Sequence, residues 1–228
     1  MVGYFIVRLI NKIKYLAMPI ILALLFTFNL EAQNLVPNGS FDEVTDVYYT
    51  MNNNLPSANC TYWKEVGSPN FYKDRNDHKN FVGLISTGFY PLEYIYTTLS
   101  TTLIPNRKYK LSIRMLRYIK SFNLNILLIK QNDTLKINEF TIPELAKNIT
   151  TTVINITSND AKQKRCKDKW CEYIVEFTVV SKADVLIIGN YVKRVTKSNV
   201  DYDYYYCVDD IIIEDLSKND QTLTLPVK

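Results

Sequence analysis

Beyond residue 100 the chain alternates apolar and polar positions with a period of two. Tyr109, Leu111, Ile113 and Met115 interleave with Lys110, Ser112 and Arg114, the pattern of a strand buried on one face. Phe122, Leu124, Ile126 and Leu128 repeat it. So do Tyr173, Val175, Phe177 and Val179, set against Ile174, Glu176 and Thr178. Val185 to Ile188 is a short apolar, β-rich run, and a last strand is expected through Tyr206, Val208 and Ile211 to Ile213. Turn chemistry separates these runs at Pro105–Arg107 and Asn132–Thr134, because proline presets φ and Asn or Asp bonds its own backbone. Only Pro143–Asn148 reads as briefly helical. Many short strands without helical alternation predict an all-β fold, an antiparallel β-sandwich of jelly-roll type.

The first thirty residues follow a different pattern. Arg8, Lys12 and Lys14 lead into an apolar run from Ala17 to Phe28, and the small Ala32 offers a cleavage position. A membrane span wants about 20 apolar residues, and Pro19, Asn29 and Glu31 leave this run short. The expected organisation is a signal peptide at 1–32, a β-sandwich domain at 33–215 and a polar tail at 216–228. No cysteine follows the apolar run to take a lipid, so a soluble exported chain is expected in the periplasm, at the outer membrane or outside the cell.

Removal of residues 1–32 lowers Lys plus Arg from 27 to 24 and Asp plus Glu from 23 to 22, so net charge falls from +4 to +2. Little basic excess remains to attract nucleic acid, which is not expected as a partner. The basic run Lys162–Lys169 reads as a solvated loop, diluted by Asp160 and Asp168. The 4 cysteines fit an oxidising compartment and allow three connectivities. Cys166–Cys171 is the favoured local pair, which leaves Cys60 with Cys207. Zinc is disfavoured because close cysteine pairs are missing.

A series of fragments recurs in order: NLVPNGSF (34–41), Trp63 with GSPNFY (67–72), VGL (82–84), EYI (93–95), Pro143, Trp170, LIIGNY (186–191) and YYYCVDDIIIE (204–214). Together they resemble the exported galactose-binding-like jelly-roll domain of Gram-negative bacteria of the gut and gliding group, often found ahead of an OmpA-like domain. More distantly, the NGSF opening with a closing Asp pair resembles carbohydrate-binding modules of the same sandwich fold. No OmpA-like segment follows Glu214 here, and Asp42 stands where such domains usually carry Glu. The resemblance implies a structural calcium ion where the termini meet, with Asp42 and Asp209 supplying carboxylates and Gly39 and Phe41 carbonyls completing the set.

The 17 tyrosines, with Trp63 and Trp170, carry the functional expectation. An aromatic ring offers a flat apolar face to sugar C–H groups, and tyrosine adds a polar edge. Tyr48, Tyr49, Tyr62, Trp63, Phe71 and Tyr72 form the expected platform, with Arg114 and Arg117 as donors. The expected function is carbohydrate recognition by a non-catalytic domain; the alternative is a structural or protein-interaction component of the cell envelope. Partners are accordingly a glycan or an envelope protein. Catalysis is not expected. His78 is the one histidine, none of the 6 glycines forms a phosphate loop, and Glu93, Glu172 and Glu176 are the sole glycosidase suspects.

Overall fold

The computed structural model describes residues 33–44, 60–73, 79–85, 93–116, 123–131, 136–138, 140–157, 164–167, 170–190 and 205–217. The chain divides into two compact units, Met1–Gln33 and Asn34–Lys228. All of the first but Gln33, and with it the expected signal peptide, lies outside the described residues, as does the tail from 218. Among the described residues no helix is long and apolar enough to cross a membrane.

The second unit is an antiparallel β-sandwich. Its elements are β1 (Trp63–Val66), β2 (Asn70–Lys73), β3 (Asn80–Ile85), β4 (Tyr94–Leu103), β5 (Lys108–Leu116), β6 (Asn123–Ile129), α1 (Thr141–Leu145), β7 (Thr152–Thr157), β8 (Lys164–Lys167), β9 (Trp170–Thr178), β10 (Ala183–Gly189) and β11 (Tyr205–Asp215). A five-stranded sheet runs β1-β4-β10-β6-β7, and a six-stranded sheet runs β2-β3-β11-β5-β9-β8. The expected all-β sandwich is the observed architecture. The expected strands become β5, β6, β9, β10 and β11, and the helical expectation at Pro143–Asn148 overlaps α1 only at Pro143–Leu145.

Alternation sorts the faces. Tyr109, Leu111, Ile113 and Met115 of β5 join Leu124, Ile126, Leu128, Leu186 and Ile188 in one core between the sheets. The five-stranded sheet is also covered on its outer side, where Tyr94, Leu127, Ile129, Val185 and Ile187 pack with Ile142 of α1 and the half-buried Leu145. Burial on both faces explains why β10 reads as a continuous apolar run and why β6, alternating at its start, ends in one.

The first residues of the second unit meet β11, the last described strand. Asn34 Nδ2 donates to the Ile211 carbonyl at 3.1 Å, its Oδ1 accepts from Ile213 N at 3.1 Å, and Leu35 N donates to the Ile213 carbonyl at 2.9 Å. Gly39 closes the junction: its carbonyl accepts from Ile211 N at 2.9 Å. A Cβ on Gly39 would lie 2.0 Å from the Ile211 oxygen, so no other residue fits without displacement.

β11 changes phase partway. Tyr206 and Val208 face the core, and so do Ile211 and Ile213, which a regular strand starting at Tyr206 would place on the opposite side. Its pairing with β5 shifts register between Asp209 and Ile212, and Asp210 takes φ 46°. This is a β-bulge, and it sets the chemistry of the outer face.

Candidate functional site

The outer face of the six-stranded sheet carries the main concentration of aromatic and ionic side chains among the described residues. Strand register orders it into two rows. In one, Cys207 pairs with Gly83 on one side and Leu116 on the other, and Leu116 pairs with Trp170. In the next, Asp209 pairs with Arg114, Arg114 with Glu172, and Glu172 with Arg165, giving register positions of alternating charge across β11, β5, β9 and β8.

Aromatic rings bind the rows together. Tyr72 stacks on Phe81 with centroids 5.2 Å apart, and Phe81 meets Trp170 edge-on at 5.5 Å. Phe81, Leu116 and Cys207 are buried beneath, whereas Tyr72 and Trp170 are half-buried and reach the surface. The Arg114 guanidinium lies over the Trp170 ring, 5.2 Å from its centroid.

The bulge brings two consecutive carboxylates to that guanidinium. Arg114 Nη1 donates to Asp210 Oδ2 at 2.6 Å and stands 3.7 Å from Asp209 Oδ2, while Lys79 Nζ lies 3.6 Å from Asp210. Asp209 is almost wholly buried, and its Oδ1 accepts from Asp210 N at 2.7 Å. Burial pushes its pKa up to about 7, the Asp210 charge adds to the rise, and the Asp210 N–H and Arg114 offset part of it. Beside them Ser112 Oγ donates to Glu172 Oε1 at 2.7 Å.

The disulfide Cys166–Cys171 joins β8 to β9 one residue from Trp170, which pairs with Lys167. The favoured local pair is therefore present, and it clamps the hairpin that presents the indole. The second expected bridge is not formed: Cys60 and Cys207 are both buried free thiols. Cys60 belongs to the core between the sheets, whereas Cys207 belongs to the cluster on the outer face, so the sheet itself separates them. Burial raises both thiols to about 12.

The loop platform expected from sequence is not assembled as such. Trp63 and Phe71 are core residues: both pack on Phe41, at 5.1 and 6.1 Å, and Trp63 Nε1 donates to the Asn38 carbonyl at 3.0 Å. Neither has a surface to offer a ligand. Tyr62 is 60% exposed on the turn before β1 at φ 72°, and Tyr72 lies on the sheet face instead. Tyr48, Tyr49 and Arg117 lie outside the described residues, as does His78. Arg114 joins the site, with Trp170, named among the aromatics but outside the expected platform, and with Phe81 and Asp210, which the sequence did not single out for binding. Of the three glutamates, Glu172 and Glu176 are on β9 and Glu93 immediately precedes β4 in the other sheet, so they do not face one another.

The implied calcium set also fits poorly. Asp42 is exposed, while Asp209 is enclosed by Asp210 and the Arg114 guanidinium, a cation where a metal would need to sit. The Phe41 carbonyl accepts from Asn80 Nδ2 at 3.0 Å, and the Gly39 carbonyl is taken by Ile211. Among the described residues no group of three or more metal-ligating side chains occurs.

No family model matches the chain, and no curated protein matches it. Solved structures do. The CBM22-2 xylan-binding domain of Xyn10C from Paenibacillus barcinonensis matches at 11% identity and TM-score 0.42, over 69% of this chain and 93% of that one. A structure described as "CBM4 structure and function" matches at 16% and 0.39, over 79% and 99%. The enzymatically active domain of tailspike protein 4 of bacteriophage CBA120 matches at 12% and 0.36, over 80% of this chain and 21% of that one. At such scores these likenesses carry no argument about function.

Proposed function

We propose that the domain is a non-catalytic carbohydrate-binding module of an exported bacterial protein and that it engages glycan on the outer face of the six-stranded sheet. One observation carries the reading: the half-buried rings of Tyr72 and Trp170 both pack on Phe81, with the Arg114 guanidinium over the indole and held by Asp210. Rings of this kind cover the C–H faces of successive sugars, and the neighbouring charged groups take up hydroxyls. The clamp at Cys166–Cys171 limits motion of the Trp170 hairpin, which lowers the ordering cost of binding. The same disulfide supports export to an oxidising compartment, periplasmic or beyond.

The test is a glycan array followed by calorimetry on the best neutral oligosaccharide. Trp170→Ala and Tyr72→Ala should each weaken binding by about tenfold, the loss of roughly 1–1.5 kcal/mol of ring contact. An array blank for every glycan, together with capture of a defined envelope protein, would replace this reading with a structural envelope role. Full binding in the Trp170→Ala, Tyr72→Ala double variant would remove the face from the account.

A further inference from the structure

Away from that face, a groove of about 440 Å³ opens where the end of β6, the segment after α1 and the turn before β10 converge. Its size falls within the ~300–1,000 Å³ of small-molecule sites. Ile129 and Leu145 give it an apolar floor, and its remaining lining is polar.

Hydrogen-bond accounting shows what that lining lacks. Asn148 Oδ1 is occupied, accepting from Thr150 N at 3.0 Å and from Thr150 Oγ1 at 2.9 Å, and the Thr150 carbonyl is taken by Ser181 Oγ. Hydroxyl oxygens aside, which donate as well as accept, these acceptors are spent within the protein. The donors are not: among the described residues, Asn148 Nδ2, Thr151 Oγ1 and Lys182 Nζ have no partner. Lys130 gives one of its three protons to Asp184, whose other oxygen accepts from Gln131 N at 2.7 Å. Lys182 is exposed and forms no ion pair among the described residues. A donor-rich, cationic groove over an apolar floor is the complement of a ring with one C–H face, many oxygens and a negative charge.

We propose that this groove is a second binding site, for an acidic saccharide. The carboxylate of a uronic acid lies against Lys182 with Lys130 beside it, ring hydroxyls accept from Asn148 and Thr151, and the C–H face covers Ile129 and Leu145. The assignment does not rest on the outer-face reading, since no residue is shared between the two.

The experiment titrates the protein with galacturonate, with galactose, acetate and inorganic phosphate as comparisons, followed by NMR shift mapping and calorimetry. Galacturonate should bind and perturb the amides of residues 148–151 and 181–182. Lys182→Gln should weaken it by at least about tenfold, the loss of a charged hydrogen bond, and Thr151→Val by a few-fold, with Tm unchanged in the first because that side chain is exposed. Trp170→Ala should leave galacturonate binding intact, and Lys182→Gln should leave neutral-glycan binding intact. The proposal is overturned by equal binding of acetate or phosphate, which would make this a simple anion site. It is equally overturned by equal binding of galactose, by no binding, or by loss of galacturonate in Trp170→Ala.

Discussion

Replacing Glu93 with glutamine should stabilise the protein at alkaline pH and leave it unchanged at acid pH. Glu93 immediately precedes β4, is 6% exposed, and ties that strand to the end of β3: its Oε2 accepts from Ile85 N at 2.6 Å and its own N–H donates to the Ile85 carbonyl at 3.3 Å. Glu65, whose strand position pairs with Ile95, adds a second carboxylate nearby, itself raised by burial. Burial lifts Glu93 from 4.5 to about 7; the Ile85 N–H lowers it somewhat and the Glu65 charge raises it. A carboxyl with a raised native pKa binds its proton more tightly folded than unfolded. Its contribution is therefore intact below 4.5, is lost progressively as pH rises to about 7, and is flat beyond. At about 1.4 kcal/mol per pH unit the full loss is ~3 kcal/mol. Glutamine keeps an acceptor for Ile85 N and removes the charge, so Glu93→Gln should gain ~1–3 kcal/mol at pH 8 and about nothing at pH 4.5. Urea denaturation across that range reads it directly. Asp209, also raised to about 7, steepens the wild-type slope in the same direction and must be measured separately as Asp209→Asn. Wild-type stability that is level from pH 5 to 8, or a Glu93→Gln protein less stable at pH 8, would refute the argument.

Three other outcomes are expected. Gly39→Ala should lower stability by ~2 kcal/mol or more, because its Cβ collides with the Ile211 carbonyl at the junction with β11; an unchanged Tm would show that the junction yields freely. Alkylation of the denatured, unreduced protein should label two thiols, Cys60 and Cys207, rising to four after reduction; no labelling before reduction would restore the Cys60–Cys207 bridge. Chelation by EDTA should leave Tm in place, since Arg114 rather than a metal compensates Asp209; a fall reversed by calcium would return the ion to the account.

Much of the sandwich is legible in the sequence because burial on one face writes itself as alternation. β5 and β9 show it most plainly, with Tyr109, Leu111, Ile113 and Met115 inward on one and Tyr173, Val175 and Phe177 inward on the other. β4 escaped because YIYTTLSTTL hides its inward set among threonines, with Thr97 buried and Thr98 exposed. The aromatic platform differs for a related reason: Trp63 and Phe71 stand beside turn residues and look like loop rings, yet each lies in a short strand and packs its ring on Phe41. Cys207 was decidable in principle. It lies between Tyr206 and Val208, which point inward, so parity alone sends it to the opposite face from Cys60. The site's ionic half was not decidable, because nothing local in VDDIII announces that Asp210 breaks the phase and that both carboxylates meet one guanidinium.

That break makes Asp210 a residue of β11 that the interior does not need. Deleting Asp210 would restore a regular repeat in which Tyr206, Val208, Ile211 and Ile213 all still face the core, because it is the one residue in excess over β5 between Asp209 and Ile212. It would withdraw the carboxylate that holds Arg114 over Trp170. That deletion should thus be tolerated by the interior and felt on the outer face of the terminal strand. There a single supernumerary residue sets a second carboxylate beside one guanidinium.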